Sequence, residues 1–222
     1  MDAERLVSTL QGVRDALMSN PAYLWRKLAL DQREQLMAWR KNQGLPWHRP
    51  PHRAGEHTRY HVTAACYEHQ PWIGSSGERM ESFSGMVLTL LEASRAQVHA
   101  WCVLPNHYHL LVESSDIPGL LGALGKLHGK TSFQWNGEEQ QRGRQVWCGA
   151  AERYMRNDAH FWATLNYVHH NPVRHGYVER WQDWPFSSAQ EYLAGMGREF
   201  AEQTWKAYPI LEYGKGWDEP EM

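Results

Sequence analysis

Residues 97–113, QVHAWCVLPNHYHLLVE, constrain the fold more tightly than any other stretch of the chain. Two runs rich in apolar and β-branched residues, 97–104 and 107–113, flank the turn dipeptide Pro105-Asn106, so the segment reads as an antiparallel hairpin. In a strand at 107–113, side chains alternate: His107 and His109 project from one side of the sheet, and Tyr108 turns into the core on the other. Elements on either side extend the pattern. HTRYHVTAAC (57–66) alternates as a strand, and 78–96 carries Met80, Phe83, Met86, Val87, Leu90 and Leu91 on one helical stripe. Residues 117–135 are helical in pattern although Gly119, Gly122, Gly125 and Gly129 weaken it. A fourth strand is expected within 145–155, and Asp158 is expected to cap a last long helix running to about Asn171. The order strand, helix, strand, strand, helix, strand, helix predicts an α+β fold, a ferredoxin-like antiparallel sheet with helices on one face.

Upstream, Leu6, Leu10, Val13 and Leu17, then Leu28, Leu30, Leu36 and Trp39, give two helical segments within 1–43. GLPWHRPPHRAG (44–55) follows, with three prolines and two glycines, a composition that neither a helix nor a central strand tolerates. The expected organisation is a helical N-terminal extension and Pro-rich linker at 1–55, the main domain at 56–195, and a C-terminal tail at 196–222. A hydrophobic share of 42% with 12 Trp and 10 Tyr excludes a disordered chain. No apolar run approaches the roughly 18 residues of a membrane span, and the first residues do not read as a signal peptide, so a cytoplasmic protein without membrane contact is expected. Cys66, Cys102 and Cys148 lie too far apart for a disulfide framework or a zinc ribbon and receive no role. A net charge of -2 argues against a protein that coats duplex DNA, although 126–180 is locally richer in Lys, Arg and His.

His107 and His109 form a two-ligand half-site for a metal ion, a weak signal by itself in a chain with 13 His. Tyr167 and Asn171, one turn apart on the last helix, offer a nucleophile and an oxygen ligand on one face. A phenol titrates near about 10 and attacks poorly at neutral pH unless a metal polarises its target. Taken singly, Tyr167 reads more readily as a core aromatic, and Asn171 as the helix end ahead of Pro172.

Four segments change these weights: YHVT (60–63), VHAWCVLPNHYHLLVE (98–113), KLHGK (126–130) and YVHHNPVRHGYVERWQDWPFSSAQEY (167–192). In order and spacing they resemble the REP-associated tyrosine transposases, relatives of the single-tyrosine insertion-sequence transposases. The resemblance covers roughly residues 57–195. Its specific part is PNHYHLLVE followed at this distance by Y-x-x-x-N-P-V-R-x-G. It implies a histidine-hydrophobic-histidine (HUH) nuclease fold in which His107 and His109 are metal ligands, Tyr167 is the nucleophile and Asn171 is the third ligand. The insertion-sequence branch usually has Gln where Asn171 stands, which favours the REP-associated branch. Residues 1–55 have no counterpart in the shared domain.

The activity so implied is a transposase-like endonuclease and strand transferase acting on single-stranded, hairpin-forming DNA. Tyr167 would attack a phosphodiester in line, expel a 3′-hydroxyl and keep the 5′-phosphate as a phosphotyrosine, so that strands are rejoined without ATP. The implied cofactor is Mg²⁺ or Mn²⁺, although two imidazoles by themselves suit zinc or manganese. Lys126, Lys130, Arg174 and His175 are candidate DNA contacts, and Trp147, Trp162, Trp181 and Trp184 candidate stacking platforms for unpaired bases. A homodimer is left open. Two other readings stand beside this one: a DNA-hairpin-binding module that has lost catalysis, and a metal nuclease that uses water while Tyr167 is structural.

Overall fold

The computed structural model describes residues 58–210 and, upstream, positions 29, 31, 32, 34, 35 and 38. The chain divides into two compact units, residues 1–53 and 54–222. In the first, Asp31, Gln32, Glu34, Gln35 and Ala38 are helical. The remainder of the N-terminal helices, the Pro-rich linker and residues 211–222 lie outside the described residues.

The second unit is built on a four-stranded antiparallel sheet in the order β2-β3-β1-β4, with β1 at Arg59–Ala65, β2 at Gln97–Val103, β3 at His107–Glu113 and β4 at Ala151–Tyr154. Helix α1 (Gly77–Ala93) joins β1 to β2, and α2 (Ile117–Glu138) joins β3 to β4, which completes the ferredoxin-like connectivity. The expected hairpin pairs Cys102 with His109 and Val103 with Tyr108. β4 is shorter than the 145–155 expected, although Trp147 makes an isolated bridge to Cys66 ahead of it.

Side-chain alternation sorts the interior strands into two faces. Tyr60, Val62, Val103, Tyr108 and Leu110 meet Phe83, Val87 and Leu91 of α1 and Leu120 and Leu124 of α2. Ala100, Cys102 and Leu111 meet Phe161, Leu165 and Val168 of α3 (Asp158–Arg174). Helices therefore cover both faces: two lie where the ferredoxin-like layout places them, and α3 lies on the opposite side. The physical reason is β3 itself. All of it but Glu113 is buried, as a strand covered on both faces must be.

Local chemistry fixes where α3 begins and ends. Asn157 is the cap, its side-chain oxygen accepting from the His160 N–H at 2.8 Å; Asp158 is instead the first helical residue, where a carboxylate suits the helix dipole and pairs with Arg59 at 3.0 Å. The helix does not stop at Asn171. It carries Pro172 inside its last turn and gives up the one N–H bond that proline cannot make, and Gly176 at φ 71 then reverses the chain while the Tyr177 N–H donates to the Pro172 carbonyl at 2.9 Å. Burial of Phe161, Leu165 and Val168, worth about 1.5–3 kcal/mol each, holds α3 and its polar inner residues against β2 and β3.

Beyond α3, helix α4 (Ala189–Met196) closes the stretch expected as the main domain, and α5 (Arg198–Ala207) forms within the segment expected as a tail at 196–222. α5 docks on α3: the Asn166 amide donates to the carbonyls of Thr204 and Tyr208. Among the described residues, no helix is long and apolar enough to cross a membrane.

Candidate active site

β3 and α3 bring residues about 60 positions apart in sequence, His107 and His109 on the strand and Tyr167 and Asn171 on the helix, into one buried cluster. His107, His109, Tyr167 and Asn171 are each 1% exposed or less. The rings of His107 and His109 stand 4.9 Å apart, the His109 ring lies 5.1 Å from that of Tyr167, and His107 Nε2 is 3.2 Å from Asn171 Oδ1. The alternation along β3 accounts for this arrangement, because Tyr108 between the two histidines is buried on the other face, 3.0 Å from His128 Nε2.

Each histidine is oriented by a further side chain. Asn106 donates through Nδ2 to the His69 carbonyl at 3.1 Å, which turns its Oδ1 toward His107 Nδ1, 2.6 Å away. A carboxamide oxygen only accepts, so the proton of His107 sits on Nδ1 and Nε2 presents a lone pair toward Asn171. His109 Nδ1 is 3.1 Å from His61 Nε2. His61 pairs with Leu111 across the β1–β3 ladder while Thr63 pairs with His109, so His61 is the diagonal neighbour of His109 on the same face. The His61 ring also lies 5.9 Å from the Tyr167 ring. Burial, reinforced by His107, His175 and Arg174, holds His109 neutral well below the usual histidine range, which is the ligand-competent form.

This donor set fits a divalent cation. Asn171 Nδ2 is buried and has no hydrogen-bond partner among the described residues. With the tautomer that Asn106 imposes on His107, Nε2 and Asn171 Oδ1 turn lone pairs toward each other across 3.2 Å. Neighbouring ligands of an octahedral ion with bonds of about 2.1 Å stand about 3 Å apart, so a cation relieves a contact that is otherwise repulsive. Among the described residues, no group of three or more His, Cys, Asp or Glu could hold a metal, and the oxygen donor that stands beside the two imidazoles is the Asn171 amide. Removing the Asn106 carboxamide should therefore weaken metal binding: Asn106→Ala is expected to lower the affinity for Mn²⁺ about 10- to 100-fold, measured by titration calorimetry, with the fold intact.

The other candidates divide. Arg174 and His175 border the cluster: the Arg174 guanidinium stands 5.9 Å from the centre of the Tyr167 ring and the His175 ring 5.0 Å from that of His107. Lys126 and Lys130 are exposed on α2, which packs on the opposite face of the sheet, and they are not brought to this cluster. Trp147 is a core residue stacked 4.3 Å from His128, and Trp162 packs among Phe161, Phe200 and Tyr208. Trp184 donates from Nε1 to the Val103 carbonyl, whereas Trp181 lines a cavity on the outer side of α3. The three cysteines are free thiols; burial pushes Cys66 up to about 12. Asn106 and His61 were not singled out from sequence, and the only signal for them is their place in the shared motifs PNHYH and YHVT.

Known proteins bear on this arrangement. A Haemophilus influenzae protein described as a REP-associated tyrosine transposase is 32% identical over 124 residues, covering 51% of this chain and 68% of its own length. The REP-associated tyrosine transposase of Escherichia coli is 27% identical over 106 residues, 44% of this chain and 57% of its own length. Among solved structures, a REP-associated tyrosine transposase bound to a REP hairpin superposes with a TM-score of 0.52 at 19% identity, covering 72% of this chain and 87% of that one. At that identity the match shows a shared fold. No protein-family profile matches the chain. The identity to the Haemophilus influenzae protein extends over two thirds of that protein, and the chain belongs to the REP-associated tyrosine transposase family.

Proposed function

We propose that this protein cuts and rejoins single-stranded, hairpin-forming DNA through a covalent bond between Tyr167 and a 5′-phosphate, using Mg²⁺ or Mn²⁺ held by His107, His109 and Asn171. The observation that carries the reading is the packing of a phenol against two oriented imidazoles whose partner is a buried carboxamide with an unmatched donor. In the reaction, the Tyr167 oxygen loses its proton and bonds to phosphorus while the bond to the 3′ oxygen breaks. The 3′ oxygen leaves as a hydroxyl, and a DNA 3′-hydroxyl reverses the step. A divalent ion at this site supplies Lewis-acid withdrawal of charge from a non-bridging phosphate oxygen. Asn106 and His61 fix the imidazoles so that no reorganisation is needed at the moment of attack. Because Tyr167 is 1% exposed, the half-buried Arg174 and His175 at its border have to yield as the strand enters.

Arg174 and His175 are proposed to meet the phosphate backbone beside the reacting bond. Each phosphate contact contributes about one counterion to the salt dependence of binding. Arg174→Ala is accordingly expected to reduce the slope of log K against log salt by about 1, read by fluorescence anisotropy with a labelled hairpin. Lys126 and Lys130, on the other sheet face, reach only DNA that wraps past the sheet edge. An unchanged slope in a double Lys126→Ala, Lys130→Ala variant would remove them from the interface.

The reading is tested by incubating the protein with hairpin-bearing single-stranded oligonucleotides and Mg²⁺ or Mn²⁺ and running the products under denaturing conditions. A protein–DNA adduct that survives denaturation is expected. Cutting without an adduct would assign the attack to water and leave Tyr167 a structural residue. Binding without cutting would make the protein a hairpin-recognition module.

A further inference from the structure

Between β1 and α1 the chain makes a turn in which two consecutive residues, Glu68 at φ 54 and His69 at φ 51, are left-handed. The His69 N–H donates to the Cys66 carbonyl at 3.0 Å and the Gln70 N–H to the Tyr67 carbonyl at 3.2 Å, so Glu68 and His69 are the central pair of a mirror-image turn. Such a turn favours Asn-Gly, because at positive φ a Cβ crowds the neighbouring carbonyl oxygen. Glu-His stands there instead. The Glu68 side chain is exposed, so the conformation is not fixed by burying it.

What the conformation achieves is a grip on the tip of the β2–β3 hairpin. The His69 carbonyl accepts from Asn106 Nδ2 at 3.1 Å, and the Cys66 N–H donates to the Asn106 carbonyl at 2.7 Å. Farther along, the Gly74 N–H donates to the Pro105 carbonyl at 2.9 Å, and a Cβ on Gly74 would stand 2.8 Å from Pro105 Cα. Residues 66–74 thus hold both residues of the tip. With Nδ2 engaged by His69, Asn106 presents Oδ1 to His107 Nδ1 at 2.6 Å. Were the amide turned over, Nδ2 would face His107 and the proton would move to His107 Nε2, the atom that faces Asn171 at 3.2 Å.

We propose that Glu68 and His69 are positioning residues for the metal site: their left-handed backbone aims the His69 carbonyl at Asn106, and Asn106 in turn sets the tautomer that gives His107 Nε2 its lone pair. The inference rests on the reading of His107 as a metal ligand. Backbone strain persists where the surrounding structure holds it, and here it fixes the direction of one carbonyl.

Because Glu68 is exposed, substitution there changes backbone preference and little else. Gly and Asn tolerate the left-handed region, Glu does so less, and a β-branched residue is an outlier in it. Two readouts are taken on the full chain: Mn²⁺ affinity by titration calorimetry, and the His107 tautomer from ring nitrogen chemical shifts in the metal-free protein at about pH 8, where imidazoles are ordinarily neutral. Glu68→Val, or Glu68→Thr if Val impairs folding, is expected to weaken Mn²⁺ binding about three- to tenfold, less than removal of the Asn106 carboxamide itself, and to move the His107 proton partly to Nε2. Glu68→Gly and Glu68→Asn should bind Mn²⁺ at least as tightly as the wild type and keep the proton on Nδ1. In an Asn106→Ala background Glu68→Val should add nothing, because the relay is already broken. A turn with a structural role alone orders the variants by melting temperature while Mn²⁺ affinity and tautomer stay with the wild type, and that result overturns the inference. So does an equal loss from Glu68→Val with and without the Asn106 carboxamide. The two proposals fail separately: a tautomer that responds to Glu68→Val, with Mn²⁺ affinity unchanged by it and by His107→Ala, upholds the positioning of His107 and removes the ion.

Discussion

Tyr167→Phe is expected to lower cleavage and strand transfer by at least about 10³-fold while hairpin affinity stays within about twofold. The substitution removes one oxygen from a ring that remains packed 5.1 Å from His109 and 5.9 Å from His61. Its stability cost should stay near about 1 kcal/mol, the net worth of a typical hydrogen bond, so the variant remains folded and the loss is chemical. The measurement is a single-turnover cleavage assay beside a binding titration on the same hairpin. Cleavage that persists at wild-type rate would assign the attack to another group.

The second large effect is expected at His107 and His109, the pair proposed to hold the metal. His107→Ala and His109→Ala should each reduce cleavage about 10²- to 10³-fold, as removal of a principal electrostatic stabiliser does, and EDTA should have the same effect on the wild type. Both imidazoles are buried and oriented, His107 by Asn106 and His109 by His61, so truncation also leaves those partners unmatched. A thermal melt separates the two consequences. A variant that melts with the wild type in EDTA but no longer gains stability from added Mn²⁺ has lost the metal, since a ligand that binds only the folded state raises its melting temperature. If Mn²⁺ stabilises the His107→Ala and wild-type proteins equally, these residues are not its ligands.

Much of this was legible in the chain. The hairpin at 97–113 announces itself because its two runs have strand periodicity and the Pro-Asn pair admits neither helix nor strand, and β3 forms at His107–Glu113. The same period of two puts His107 and His109 on one face. The resemblance to REP-associated tyrosine transposases linked that strand to the helix carrying Tyr167 and Asn171, a link that periodicity alone does not supply. What was hidden is tertiary. His61 meets His109 only through the register of β1 on β3, which nothing local to YHVT encodes. Asn106 reads as a turn residue, and its second task of fixing the His107 tautomer depends on the His69 carbonyl 37 positions away.

The placement of α3 was partly visible. Leu110, Leu111 and Val112 put apolar side chains on both faces of the strand and imply cover on both sides, but element order does not say which helix provides it. Pro172 suggested a helix end. The helix runs through Pro172 to Arg174 without the bond that the proline cannot donate, and Gly176 supplies the reversal after it. Lys126 and Lys130 show the converse limit: a basic i,i+4 pair locates charge on a helix face but not the side of the sheet on which that helix lies. Trp205 was passed over because REFAEQTWKA was expected to belong to a tail, and its role as a cavity wall appears only when α5 docks on α3.

The central claim is that Tyr167 carries the DNA. It is tested most directly by trapping the wild-type protein on a hairpin oligonucleotide with Mn²⁺, digesting the adduct with protease and nuclease, and locating the residual nucleotide by tandem mass spectrometry. The account predicts one modified peptide bearing a 5′-phosphonucleotide on Tyr167. The same modification on any other residue, or cut DNA with no modified peptide, would contradict it.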